Sequence, residues 1–366
     1  MHDAQTDGVI HVGLGDRSYP ITVGSGILDT LGSVVRSHGF RSPLAVITDD
    51  RVASLYGERA LASLREAGFE ASLLIFPEGE PSKTLQTIAS LYDGMVKLKP
   101  ERKSGLIALG GGVAGDMAGF VAATYLRGMP FIQVPTTLLA QVDSSVGGKV
   151  GVDHAGGKNL IGAFHQPVQV LIDTATLKTL DPRQVKAGLA EVIKHGVIRD
   201  ERLFEKIKTE LDSLLRIDER VYQEIVPWNC RIKAQVVEQD EREHGLRAIL
   251  NFGHTIGHAI ESLTGYETYL HGEAVALGMW MEARLGCRLG ITPLDVVASL
   301  ESLLRQVGYP LERPSISGDQ LVESMYHDKK VEEGTLRFIF PTRIGDVGIH
   351  AVQDVQSIKK VWEESS

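Results

Sequence analysis

The sequence predicts a two-domain α/β protein: a mostly parallel sheet domain over residues 1–180, then an all-helical domain over residues 181–366. Two observations carry that prediction. Up to about residue 180, short β-rich runs alternate with helical stretches, the order that gives a parallel sheet with helices on both faces. Beyond "LDPRQ" the strand signal almost stops, and apolar residues recur three and four apart.

Taken in order, "VIHVGL" and "SYPITVG" flank Gly15-Asp16-Arg17 as a hairpin. "PLAVITDD", "ASLLIFP", "GLIALGGG", "FIQVPTT" and "VQVLIDT" read as buried strands, with helical stretches such as Ala53 to Gly68 and Leu85 to Leu98 between them. In "LGGGVAGD" a strand meets glycines and then a helix expected to begin near Gly115. Gly110, Gly112 and Gly115 satisfy G-x-G-x-x-G, where glycines let a backbone approach a pyrophosphate at a helix N-terminus. A plain tight turn satisfies the same pattern. The loop follows several strands instead of the first, so the domain is Rossmann-like with a non-standard nucleotide site.

"VPTTLLAQVDSSVGGKVGVDHAGGKNLIGAFHQP" reads as a long glycine-rich loop carrying Asp143, Ser144, Lys149, Lys158 and Asn159. Its interleaved apolar residues argue for an ordered, functional loop. In the second half, Val185, Leu189, Val192 and Ile193 mark one amphipathic helix. Val221, Ile225, Trp228, Ile232 and Val236 mark another, with Pro227 a kink. Residues 254–264, 272–289 and 295–307 are expected to be helical too.

Composition excludes several classes. A net charge of -9 argues against a nucleic-acid binder, which needs a basic face. The longest apolar stretch, Gly105 to Leu126, holds Asp116 and a glycine cluster, so it is not a membrane span. Cys230 and Cys287 form no disulfide framework, which fits a reducing cytoplasm. The N-terminus has no apolar signal segment.

With no cysteine pattern, a metal site must be built from histidines and carboxylates. "NFGHTIGHAIE" places His254 and His258 on one helix face, but Thr255 stands where a zinc protease carries its glutamate. Both histidines, one, or neither bind an ion on this evidence. Glu191 has Lys194 and His195 one turn on; Arg247 and Asn251 precede the histidine pair; His271 and Glu273 follow it. One glutamate and two histidines from separate segments make a three-ligand zinc site with an open fourth position. Each residue alone also reads as an ordinary core or surface group.

The ordered set "EGEPSK", "GGGVAGD", "ATYLRG", "VPTTLLAQVDSSVGGK", "GGKNLIGAF", "AGLAEVIKHG", "LNFGHTIGHAIE" and "HGEAVALGM" resembles the 3-dehydroquinate synthases, from about residue 10 to residue 350. The resemblance implies a cytoplasmic homodimer using NAD and a divalent metal, commonly zinc with cobalt as the alternative. Its small-molecule substrate would be 3-deoxy-D-arabino-heptulosonate 7-phosphate, converted to 3-dehydroquinate and phosphate. The implied chemistry is transient oxidation at C5, which acidifies the C6 proton, loss of phosphate from C7, reduction, ring opening and aldol closure.

Carried over by position, the metal ligands are Glu191, His254 and His271, while His258 faces the substrate phosphate. Asp143, Lys149, Lys194, Lys233, Arg247, Asn251 and Lys330, favoured over Lys329, surround the substrate. Arg127 reaches the phosphate in the partner subunit's site. NAD contacts fall on Asp49, Glu80, Lys83, Gly111, Gly112, Val113, Asp116, Thr136, Thr137, Lys149, Lys158, Asn159, Thr176 and Thr179. The sequence departs from the family pattern at Arg51, where asparagine is frequent, and at Gln184, where glutamate is. Rival readings are a sugar-phosphate cyclase whose substrate lacks the carboxylate, a metal-dependent alcohol or glycerol dehydrogenase, and a catalytically silent metal- and nucleotide-binding sensor.

Overall fold

Alternating burial sorts the strands of the first half into two cores. In the computed structural model, which describes residues 9–328 and 335–364, the strands of this part are β1 (Val9–Val12), β2 (Tyr19–Gly24), β3 (Arg41–Asp49), β4 (Ala71–Phe76), β5 (Ser104–Gly110), β6 (Phe131–Pro135), β7 (Lys149–His154), β8 (Gly157–Phe164) and β9 (Gln169–Asp173). Seven form one sheet in the order β1-β2-β9-β6-β5-β3-β4, parallel except for the β1–β2 hairpin. Successive side chains point to opposite faces. Ala45, Ile47, Leu106, Ala108 and Phe131 therefore enter one apolar cluster, while Leu44, Val46, Ile107, Leu109 and Ile132 enter the other. Burial on both faces explains why these strands read as unbroken apolar runs.

The chain divides into two compact units, Met1–Leu180 with Tyr222–Glu238, and Asp181–Val221 with Gln239–Ser366. The segment Tyr222–Glu238 was expected in the second domain but belongs to the first unit. It lies in the helix Glu219–Gln239, which continues through Pro227. Gly13 N donates to its Glu238 at 2.6 Å, and its Cys230 thiol donates to the Gln141 carbonyl at 3.3 Å. A helical period shows which face is apolar but not which core receives it.

The glycine-rich stretch, expected as an ordered loop, carries strands of its own. β7 and β8 pair as an antiparallel hairpin, with Lys149 opposite Phe164. Gly119 of the helix Gly112–Thr124 lies against this hairpin: a Cβ there would come within 2.3 Å of Val150.

In the second unit, helices Pro182–Arg199, His254–Leu263, His271–Arg288, Leu294–Val307 and Gly318–Asp328 dominate. Asp181 caps the first by accepting from Arg183 N at 2.8 Å, with Pro182 in the opening turn. A cap of this kind is worth about 1 kcal/mol. Gly272 permits close helix packing, since a Cβ there would sit 2.0 Å from the Ala187 carbonyl. The unit is predominantly helical, as expected, with one addition: β10 (Leu336–Arg343) and β11 (Asp346–Val352) form an antiparallel hairpin. Lys329 and Lys330 lie outside the described residues.

Candidate active site

In the first unit, β5 ends at Gly110 with φ +152°, a backbone that side chains rarely adopt, and the next helix starts at once at Gly112. That is three residues earlier than the expected Gly115, because Gly111 serves as the N-cap. Gly111, Gly112 and Val113 thus lie at a helix N-terminus, which offers unpaired amides to an anion. Asp49 is drawn to the same turn: a Cβ on Gly110 would lie 3.4 Å from its Oδ2. Burial raises the Asp49 carboxyl above its ordinary value.

Lys83 gathers several expected residues. It is 4% exposed, with Nζ 2.6 Å from Asp116 Oδ2 and donating to Asn159 Oδ1 at 2.5 Å. Glu80 stands 4.0 Å from Lys83 Nζ and 3.7 Å from Lys158 Nζ. Burial alone would lower the Lys83 pKa, but the Asp116 and Glu80 carboxylates outweigh it and raise it. Burial also raises Asp116, against the pull of Lys83. Thr136 N donates to the Gly110 carbonyl at 2.9 Å, and the Thr137 hydroxyl accepts from Ala140 N at 3.2 Å. Thr176 is buried, its hydroxyl bonded to the Asp173 carbonyl at 2.7 Å, so it shapes the loop from within. Thr179 is exposed and shares a 2.5 Å bond with the Tyr56 hydroxyl. Arg51, the departure at 51, pairs with Glu78 across 3.8 Å.

Elsewhere in this unit, Lys233 Nζ lies 2.7 Å from Asp143 Oδ1 and donates to the Asp143 carbonyl at 2.5 Å. Lys149 is exposed at the start of β7, and Arg127 is exposed in the turn Tyr125–Arg127 with φ +64°.

The second unit holds the metal-ligating types. Glu191, fully buried in Pro182–Arg199, turns Oε1 toward His254 Nε2 and His271 Nε2, each 3.6 Å away. That is too long for a hydrogen bond, and Oε1 accepts none. Three ligands about 2.0–2.2 Å from a tetrahedral ion stand about 3.3–3.6 Å apart, so these residues fit a divalent metal. Both imidazoles are set for that role. His254 Nδ1 lies 3.1 Å from the Phe252 carbonyl, which can only accept, so Nδ1 carries the proton and Nε2 keeps its lone pair. His271 Nδ1 lies 3.0 Å from Glu261 Oε2.

Lys194 forms an ion pair with Glu191 Oε2. Burial would raise the Glu191 carboxyl, but Lys194 first and then His271 hold it well below its usual range. Burial and Lys194 push His254 down and keep it neutral. Burial pulls His271 the same way, yet Glu261 and Glu191 push it up to about 10. The ring of His258 lies 5.3 Å from that of His254 and 5.9 Å from that of His271. Upstream, Asp240 accepts the amides of His244, Gly245 and Arg247 at 2.8 to 3.0 Å, shaping the turn that carries Arg247 and Asn251. Asn251 donates to Glu243 at 2.6 Å, and Arg247 to the Glu241 carbonyl. Gln184 is exposed in the first turn of its helix.

Two residues escaped the sequence reading. Glu282, fully buried, accepts the Gly253 amide at 3.0 Å just before His254. Glu261 stands seven positions after His254, on the same helix face, a spacing that was available to find it.

Residues 73–187 match the family model described as 3-dehydroquinate synthase N-terminal, and residues 188–331 the one described as 3-dehydroquinate synthase C-terminal. A 3-dehydroquinate synthase from Desulforamulus reducens is 53% identical over 93% of this chain and 96% of its own. The chain belongs to the 3-dehydroquinate synthase family. Among solved structures, a 2-deoxy-scyllo-inosose synthase complexed with carbaglucose-6-phosphate, NAD+ and Co2+ superposes with a TM-score of 0.87 at 29% identity, covering 98% of this chain and all of that one. A 2-epi-5-epi-valiolone synthase from Streptomyces hygroscopicus with NAD+ and Zn2+ bound gives 0.88 at 26% identity, covering 96% and 98%. The family's relatives thus include sugar-phosphate cyclases with NAD and a divalent metal.

Proposed function

We propose that this chain converts 3-deoxy-D-arabino-heptulosonate 7-phosphate to 3-dehydroquinate and phosphate, as a cytoplasmic homodimer. The observation that carries this reading is Glu191 Oε1 facing His254 and His271 at equal distances, in a chain 53% identical to a named 3-dehydroquinate synthase. Glu191, His254 and His271 hold the metal, which we take to be zinc. NAD is held by the Gly111–Gly112–Val113 turn with Asp49, Glu80, Lys83, Asp116, Thr136, Thr137, Lys149, Lys158, Asn159 and Thr179, while buried Thr176 shapes the loop behind them. When bound, NAD supplies reversible hydride transfer and the metal Lewis acidity.

The chain's own residues bind and orient the substrate. Lys233 and Arg247 hold the carboxylate, Arg247 through its planar guanidinium. Lys149, His258 and Lys330, with Arg127 from the partner subunit, hold the phosphate. Asp143, Lys194 and Asn251 take the hydroxyl groups. Asp143 is oriented for this by Lys233, and Lys194 keeps a positive charge beside Glu191. The cytoplasmic reading is supported by free Cys230 and Cys287, and among the described residues no helix is long and apolar enough to cross a membrane.

The related cyclases offer the second reading, since 2-deoxy-scyllo-inosose synthase shares the fold. Phosphate release should be followed with the heptulosonate phosphate and, separately, with glucose 6-phosphate. Turnover of the first alone is expected; turnover of the hexose phosphate alone would favour the other cyclase.

A further inference from the structure

We propose that Glu261 is a positioning residue that sets the orientation and basicity of His271 and raises the affinity of the site for a divalent cation; this rests on the metal reading above. Glu261 is 2% exposed, and its Oε2 lies 3.0 Å from His271 Nδ1, on the side of the ring away from Glu191. A carboxylate accepting from Nδ1 keeps the proton there and directs the Nε2 lone pair toward Glu191.

The two histidines are therefore backed unequally. His254 rests on a neutral carbonyl, His271 on a full negative charge. Local charge supports the same role. Lys194 sets a buried ammonium against the Glu191 carboxylate, which leaves a cation at the three ligands facing a positive neighbour. Glu261 supplies a second buried carboxylate that offsets it.

Helix geometry fixes the placement, since His254, His258 and Glu261 are four and three residues apart along one stripe of His254–Leu263. Glu261 also lies within ligand spacing of His258 and His271. Positioning and direct ligation therefore make different predictions.

The test is zinc affinity, by competition with a colorimetric chelator, in the full-length wild type, Glu261→Gln and Glu261→Ala. The visible spectrum of the Co2+-loaded forms is recorded in parallel. The glutamine keeps an acceptor without the charge and should weaken binding roughly tenfold; the alanine should approach a hundredfold. The Co2+ spectrum of Glu261→Gln should keep the wild-type band shape, because the ligands are unchanged. Wild-type zinc affinity in Glu261→Gln would overturn the proposal. So would a changed Co2+ band shape, which would make Glu261 a ligand, and so would loss of the folded state in both variants, which would make it a core residue. Absence of zinc binding in the wild type would instead sink the metal reading itself.

Discussion

Nε2 of His254 stands 3.6 Å from Oε1 of Glu191, the same distance as Nε2 of His271. Both distances suit ligands of one ion, and the ligand atoms of all three residues lie within 4.8 Å of one another. Glu191→Ala, His254→Ala and His271→Ala should each lose tight zinc binding and turnover while keeping the native far-UV spectrum. Elemental analysis checks this, and a full zinc complement in any of the three removes that residue from the ligand set.

His258 is one turn from His254, with ring centroids 5.3 Å apart. His258→Ala should keep its zinc but lose turnover and substrate affinity, and the defect should shrink for a substrate analogue without phosphate. Zinc loss in this variant would reverse the assignment of the pair.

Lys83 and Asp116 make the third prediction. Removing one partner of a fully buried pair costs about 3–5 kcal/mol; the cost in Lys83→Met should be lower, because the Asp116 side chain is 21% exposed. Lys83 has a raised pKa, so its contribution is complete below its unfolded value and fades only as pH rises through the folded one. Asp116 is also raised, so its buried carboxylate takes up a proton as pH falls and no longer needs a cation. The destabilisation should be full near neutrality and shrink at mildly acidic pH. Urea midpoints of both proteins decide, and a pH-independent difference would contradict the pairing.

Much of this arrangement was legible in the sequence, for reasons visible in particular residues. The Leu85–Leu98 helix matches its expected bounds, because Thr84 caps it and Lys99 leaves it with φ +56°. The buried strands showed themselves as apolar runs. The β7–β8 hairpin did not, since Asn159, Leu160, Gly162 and Phe164 of β8 are exposed and its glycines mimic a loop. β10–β11 was hidden by the helical context around it. Motif resemblance named Glu191, His254 and His271; Glu261 closes the same histidine motif but, like Glu282, contacts a residue beside the expected ion, a His271 ring nitrogen in one case and the Gly253 amide in the other.

Arg127 tests whether the site is shared between subunits. If it contacts a desolvated phosphate, its loss should cost about 2–5 kcal/mol, tens- to thousands-fold in kcat/KM. Arg127→Ala, impaired, and His271→Ala, inactive, should together gain activity beyond that of Arg127→Ala alone when mixed under subunit exchange. One site of the heterodimer then combines an intact metal set with the partner's intact arginine. Demonstrated exchange without recovery would place Arg127 in its own subunit's site or on the surface.

In the proposed reaction this chain releases phosphate by an oxidation that it later reverses. The most direct measurement follows phosphate, 3-dehydroquinate and NADH together, with heptulosonate phosphate in large excess over NAD, before and after treatment with a chelator. Many turnovers per NAD are expected, with equal phosphate and 3-dehydroquinate, no accumulating NADH, and activity lost with the chelator and restored by zinc. Steady NADH production without phosphate release, or turnover indifferent to the chelator, would contradict the proposed reaction.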